Sequence, residues 1–159
     1  MTDQPPSSEP ERRVQLQFNA ASLGIDEAYI STLVDTFYTA VRANPQIGPV
    51  FENAIGTEWD HHLARMKDFW ASIALSAGRY SGYPMVVHRQ LADIQPWHFK
   101  VWLTLFEQTL RATAPNENVV DFFLTRAQAI GKRLQMGVFA PGSGRENAPT
   151  EPPQDDRSA

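Results

Sequence analysis

The sequence predicts an all-α fold, and three observations carry that prediction. Apolar residues recur at intervals of three and four through four long stretches, the period of a helix with one buried face. Alternation of apolar and polar residues never persists beyond a few positions, so strands leave no signal. Residues that start or stop helices, from Asp26 and Asn44-Pro45 to Pro96, Ala114-Pro115-Asn116 and Gly137, fall at the ends of those stretches.

The first stretch runs from Asp26 to Arg42. Tyr29, Ile30, Leu33, Val34, Phe37, Tyr38 and Val41 form its apolar face, and Asp26 is its expected N-cap. Asn44-Pro45 stops it, because a residue before proline is pushed out of the helical region. Gly48-Pro49-Val50-Phe51 reads as a turn leading to an aromatic residue. Thr57-Glu58-Trp59-Asp60 resembles a capping box with Asp at the third position. Behind it Trp59, His62, Leu63, Met66, Phe69, Trp70 and Ile73 again keep helical spacing, with His62 inside the apolar stripe and His61 turned towards the polar side. Gly78 and Gly82 mark a loop. Pro84 is placed to open a short helix over 84–91 that carries His88. A long helix follows from about Pro96, with Phe99, Trp102, Leu103, Leu105, Phe106, Thr109 and Leu110 inward. Asn116 can cap the last helix, expected over 117–136, and Gly137 is its expected stop.

Composition narrows the function. The chain has 159 residues, one domain's worth, with 42% hydrophobic and 20% charged residues. It contains no cysteine, which excludes disulfide scaffolds, thiolate zinc sites, cysteine-held iron–sulfur clusters and cysteine nucleophiles. The net charge of −4 argues against a nucleic-acid partner, which needs a basic face. Seven of the twelve prolines lie in 1–13 and 141–159, and these ends carry −3 of the net charge of −4. All seventeen aromatic residues lie between them. The ends are therefore expected to be disordered around a nearly neutral, aromatic-rich folded unit. No apolar run marks a secretory signal or a membrane span, so a cytoplasmic location without membrane partners is expected.

Two histidines stand out chemically. His62 interrupts an apolar helical face, and His88 sits among Met85, Val86, Val87 and Leu91. A core histidine with a hydrogen-bond partner is the plain alternative for each. Tyr38 and Trp102 occupy the apolar faces of two further helices, where polar tips also need partners or serve simple packing. Glu58-Trp59-Asp60-His61 is a Glu-x-x-His string, but a di-iron bundle needs a second copy and none exists. Zinc held by His61, His62 and His88 is disfavoured because adjacent helical residues point apart. The chain also lacks a Gly-x-Ser-x-Gly nucleophile elbow and a phosphate-cradling glycine loop. Haem suits the constellation better: its iron takes a neutral imidazole, its ring needs an apolar slot, and Tyr, Trp and His can donate to a bound gas.

Specific strings occur in order: Phe37-Tyr38, Ile47-Gly48-Pro49-Val50-Phe51, Trp59-x-x-His62 and Asp68-Phe69-Trp70. Tyr80-x-Gly82-x-Pro84-x-x-x-His88 and His98-Phe99-x-x-Trp102-Leu103-x-Leu105-Phe106 follow. As a set they resemble the bacterial truncated haemoglobins of group III, the P class, over about residues 25–136. The resemblance implies a truncated globin fold, a two-over-two helical sandwich around haem b, over residues 21–138, with disordered segments at 1–20 and 139–159. It implies His88 as the proximal iron ligand. It places Tyr38, His62, Trp102, Phe37 and Met66 on the distal, ligand-facing side, and Phe51, Trp70, Arg89 and Phe99 against the haem. Arg89, Lys67 and Arg65 are candidates to reach a propionate, and His61 and His98 are expected to face solvent or to cap helices. The implied function is binding of dioxygen, nitric oxide and carbon monoxide at a five-coordinate iron, as in oxygen transport. The alternative is a haem enzyme that detoxifies nitric oxide or peroxide. It would need a separate reductase, since the chain has no flavin or nicotinamide motif.

Overall fold

The computed structural model describes residues 10–12, 20, 22–75, 78, 88, 91, 93–145 and 147–153. Its helices are α1 (Glu27–Ala43), α2 (Gly48–Ile55), α3 (Trp59–Leu75), α4 (Pro96–Thr113) and α5 (Glu117–Val138). Among the described residues there is no strand, and no helix is long and apolar enough to cross a membrane. Of the short helix expected over 84–91, only His88, which is helical, and Leu91 lie within the described residues.

The local signals act as the sequence predicts at α1. Asp26 Oδ1 accepts from the Tyr29 backbone N–H at 2.7 Å, satisfying one of the orphan donors of the first turn. At the other end Asn44 Oδ1 accepts from the backbone N–H groups of Gln46 and Ile47, 2.8 and 3.1 Å. That bond pair bends the chain directly into a second helix. The expected turn at Gly48–Phe51 is instead the first part of α2, two turns long, opened by Pro49. A helix this short carries too few apolar positions to show a period. Gly48 lets it abut α1: a Cβ there would sit 3.0 Å from the Arg42 carbonyl oxygen and 3.1 Å from that of Val41.

Two other boundaries differ in detail, and one cap is more buried than expected. α3 begins at Trp59, one residue later than a Thr57 cap would set it. At α4, His98 Nδ1 accepts from the Gln95 backbone N–H at 2.8 Å, so it caps as expected, yet it is buried rather than facing solvent. At the end of α5, Gly137 does not stop the helix, which continues to Val138. The reason is packing. Leu134 and Val138 bury against Ile94 and Phe99, and that burial outweighs the roughly 1 kcal/mol that glycine costs inside a helix. Asn116 caps α5, accepting from the Val119 N–H at 3.0 Å.

The helices form two layers. α1 packs on α3 and α2, α4 packs on α5, and the α1–α4 contact joins the pairs. This is the two-over-two arrangement. Its centre is aromatic: Phe37 from α1, Phe106 from α4 and Phe123 from α5 are almost completely buried, each stabilising the fold by about 2–3 kcal/mol. Trp70 of α3 stacks on Phe106 (5.2 Å, 16°) and meets Phe123 at 5.7 Å, locking α3 onto the other layer. Beyond α5, Glu151 pairs with Lys100 of α4.

Candidate functional site

Two neighbouring residues on α1 divide the interior. Phe37 points to α4, where it meets Phe106 edge-on at 5.2 Å and Trp102 at 5.8 Å. Tyr38, about 100° further round the helix, points to α2 and α3. Its ring lies 4.8 Å from His62, 5.9 Å from Phe51 and 6.0 Å from Trp59, all steeply inclined. Such edge contacts set a negative ring face against a positive ring edge and hold the rings in place. Trp59 and His62, three residues apart and so neighbours on α3, meet at 5.7 Å and 87°. Tyr38, Trp59 and His62 thus form a triangle of mutually packed rings.

The polar atoms in that triangle are not hydrated as in water. Burial pushes the Tyr38 hydroxyl well above its ordinary range, and no hydrogen bond offsets the effect. The hydroxyl therefore keeps its proton at any physiological pH. Burial first, then the positive charges of Arg65, His88 and His61, pushes His62 down to about 4. Its imidazole is neutral at pH 7. His62 Nε2 is buried and has no hydrogen-bond partner. A buried polar atom left in this way is uncommon and signals a role outside the fold itself.

The rest of the region is half-buried and apolar. On α3, His62, Met66, Phe69 and Ile73 fall within about 60° of one another around the axis. None of them is fully buried, whereas Trp59, Trp70, Ala71 and Ala74 on the adjoining side are. Trp102 is half-buried and stacks on Phe106 at 5.5 Å with rings 3° from parallel. Phe51 is half-buried on α2. His88 is half-buried, its ring 6.3 Å from Phe99.

The structure thus brings together Tyr38, His62, Phe51, Phe37 and Trp102 through direct ring contacts. Met66 shares the His62 face of α3, and Trp70 supports it from behind through Phe106. His88 and Phe99 pair separately, and Arg89 lies outside the described residues. Lys67 is engaged elsewhere, bonded to Asp35 of α1 at 3.0 Å. His61 is exposed. Among the described residues, no three His, Cys, Asp or Glu side chains gather to hold a metal ion.

Sequence reasoning placed Trp59 in an apolar face, a capping box and the Trp59-x-x-His62 string without giving it a role in the site, yet it touches both polar rings. Its indole N–H also donates to Glu52 Oε2 of α2 at 3.2 Å, while Arg42 bonds Glu52 Oε1 at 2.9 Å. The Trp59-x-x-His62 spacing was the available clue to the first contact. Nothing local in the sequence links Glu52 or Arg42 to them.

Known proteins complete the picture. No protein-family model matches the chain. The chain is 37% identical over 121 residues to the group 3 truncated haemoglobin of Campylobacter jejuni, an alignment covering 74% of this chain and 94% of that protein. The crystal structure of group III truncated haemoglobin from Campylobacter jejuni matches the fold with a TM-score of 0.70 at 37% identity, over 74% of this chain and 94% of that one. With sequence and architecture agreeing over nearly the whole relative, the chain belongs to the group 3 truncated haemoglobin family of globin-type haem proteins.

Proposed function

We propose that the chain binds haem b with His88 as the protein ligand to iron, and holds dioxygen, nitric oxide or carbon monoxide beside Tyr38, His62 and Trp102. The observation that carries this reading is the buried His62 Nε2 with no hydrogen-bond partner, packed against a buried Tyr38. The surrounding residues fit the group. A flat apolar macrocycle calls for apolar walls, and Phe51, Met66, Phe69, Ile73 and Trp102 present half-buried apolar surface, with Met66, Phe69 and Ile73 on the His62 face of α3. Bound haem would supply an iron able to take an imidazole from His88 and a diatomic gas.

The chain's own groups then divide the work. His88 offers an imidazole nitrogen, with Phe99 packed against its ring. Tyr38 can donate through its hydroxyl, since burial keeps the proton on oxygen. Neutral His62 carries one ring proton and can donate it or accept, according to tautomer. A gas molecule that draws partial negative charge is held by such donors, each worth about 1–2 kcal/mol. Phe37, Phe51 and Trp102 exclude water from the same space, which strengthens those bonds. Arg89 is proposed to face a propionate and Trp70 to back the ring from α3.

Titration of the purified chain with haemin tests the reading. A Soret band saturating at one haem per chain is expected, and His88→Gly should lose stable haem and regain it with free imidazole. Absence of saturable haem uptake by the unaltered chain would refute it. Two donor-bearing rings at 4.8 Å also favour a second reading, turnover of nitric oxide or peroxide with electrons from a separate reductase, because donors can polarise a bound substrate as well as retain it. Mixing the oxygenated protein with nitric oxide and following nitrate distinguishes the two: sustained nitrate production under a reductant marks an enzyme, and a single slow turnover marks a binder.

A further inference from the structure

We propose that Glu52 and Arg42 are positioning residues for the ligand-facing rings, acting through Trp59 to hold Tyr38 and His62 in their packed arrangement. The proposal rests on the reading of Tyr38 and His62 given above. It is carried by a continuous set of contacts that runs from solvent to the buried pair.

The outer end is an ion pair between two exposed side chains. Arg42, on the last turn of α1, bonds Glu52 of α2 at 2.9 Å. The second carboxylate oxygen of Glu52 accepts the indole N–H of Trp59, the first residue of α3, at 3.2 Å. The Arg42 guanidinium lies over the Trp59 ring, 4.4 Å from its centre. Trp59 is therefore held twice: its N–H is fixed in plane by Glu52, and one face is covered by a cation. Three helix ends meet at this indole, and each contributes one charged or aromatic group.

The inner end of the same indole meets the site. Trp59 touches the rings of both Tyr38 and His62. Its orientation sets the space those rings occupy. Tyr38 also packs on Phe37 and Phe51, but among the described ring neighbours of Tyr38 and His62 it is Trp59 that a hydrogen bond anchors. The His62 Nε2 makes no hydrogen bond, and no hydrogen bond acts on the Tyr38 hydroxyl. Rings held by packing alone turn when a neighbour turns. A carboxylate well outside the site thus governs where two polar tips point. The two bonds to Glu52 also hold its carboxyl below the usual range, Arg42 first and Trp59 second, so both stay in place at neutral pH.

The test uses the full chain loaded with haem. Oxygen dissociation is followed by stopped flow, and the carbon monoxide form is followed by NMR of the Trp59 indole N–H and the His62 ring. Glu52→Ala and Trp59→Phe should each speed oxygen dissociation by about tenfold, the size usual for residues that orient a metal site's inner partners. The double variant should be no faster than the faster single one, because both cut the same chain of contacts. Glu52→Gln keeps an acceptor for the indole but loses the charge facing Arg42, and should fall between. In the unaltered protein, 1 M NaCl, where screening acts over roughly 3 Å, should shift the His62 ring signals in the direction Glu52→Gln does. Lowered melting temperatures with unchanged dissociation rates and unmoved His62 signals would overturn the proposal, as would additive effects in the double variant. If Glu52→Ala fails to fold, Glu52→Gln and the salt measurement decide. A chain that takes up no haem overturns the functional reading as well, whereas normal haem uptake with unaltered rates overturns this proposal alone.

Discussion

Replacing Tyr38 with Phe should change stability and ligand retention in opposite directions. The substitution removes one oxygen and leaves the ring. Contacts to Phe37 (4.9 Å), His62 (4.8 Å), Phe51 (5.9 Å) and Trp59 (6.0 Å) all survive. Tyr38 is only 6% exposed, and burial raises its hydroxyl above the ordinary range with no hydrogen bond to offset it. Burying an unpaired hydroxyl costs about 1–3 kcal/mol, so Tyr38→Phe should stabilise the gas-free ferrous protein by about 1 kcal/mol. For a domain of this size that raises the melting temperature by roughly 3–5 °C. The bound state should respond the other way. A donor to a partly charged ligand is worth about 1.5 kcal/mol or more, and His62 remains as a second polar group, so oxygen dissociation should accelerate about tenfold. Calorimetry of the ferrous form and stopped-flow displacement of oxygen by carbon monoxide measure the two effects. A lower melting temperature would show that the hydroxyl has a partner in the folded protein. An unchanged dissociation rate would return Tyr38 to a packing role.

Two other perturbations test how the site is supported. Burial holds His98 below its ordinary value of 6.5, so its contribution to stability is complete above that pH. It is lost as pH falls, because the unfolded chain then binds a proton that the folded one resists. His98→Gln keeps an acceptor for the Gln95 N–H but cannot titrate, so urea midpoints should drop less between pH 7 and pH 5 than in the unaltered protein; an equal drop would exclude His98 as a source. Gly48→Ala places a Cβ 3.0 Å from one backbone carbonyl oxygen and 3.1 Å from another. Neither can rotate away, so α2 must shift, at about 1–3 kcal/mol; a neutral midpoint in urea would show that α1 and α2 slide apart freely.

Much of the fold was readable because its signals are local. Asp26 and Asn116 were legible as caps from their positions alone, and the apolar faces of α1 and α4 follow from spacing within single helices. α2 was missed because two turns hold too few residues to display a period. The end of α5 was misjudged because glycine's local cost is real, and only the burial of Leu134 and Val138 beside Phe99 shows what outweighs it. In the site, His62 stood out as a polar group on an apolar face, whereas Tyr38 and Trp102 fit simple packing and were singled out by the family resemblance. The role of Trp59 was hidden, since an indole on an apolar stripe looks the same whether or not its N–H finds a carboxylate.

By itself the sequence determined the four long helices, which face of each is apolar, and that His62, Tyr38 and Trp102 lie on those faces. These properties depend on side chains within a few positions of one another. Only the tertiary structure decided that Phe37 and Tyr38 serve different layers, that His62 meets Tyr38 at 4.8 Å with Nε2 unpartnered, and that Arg42 and Glu52 reach Trp59 from two other helices. Those facts depend on how helices cross. The crossing is set by the whole aromatic core acting together, and no single stretch of the chain encodes it.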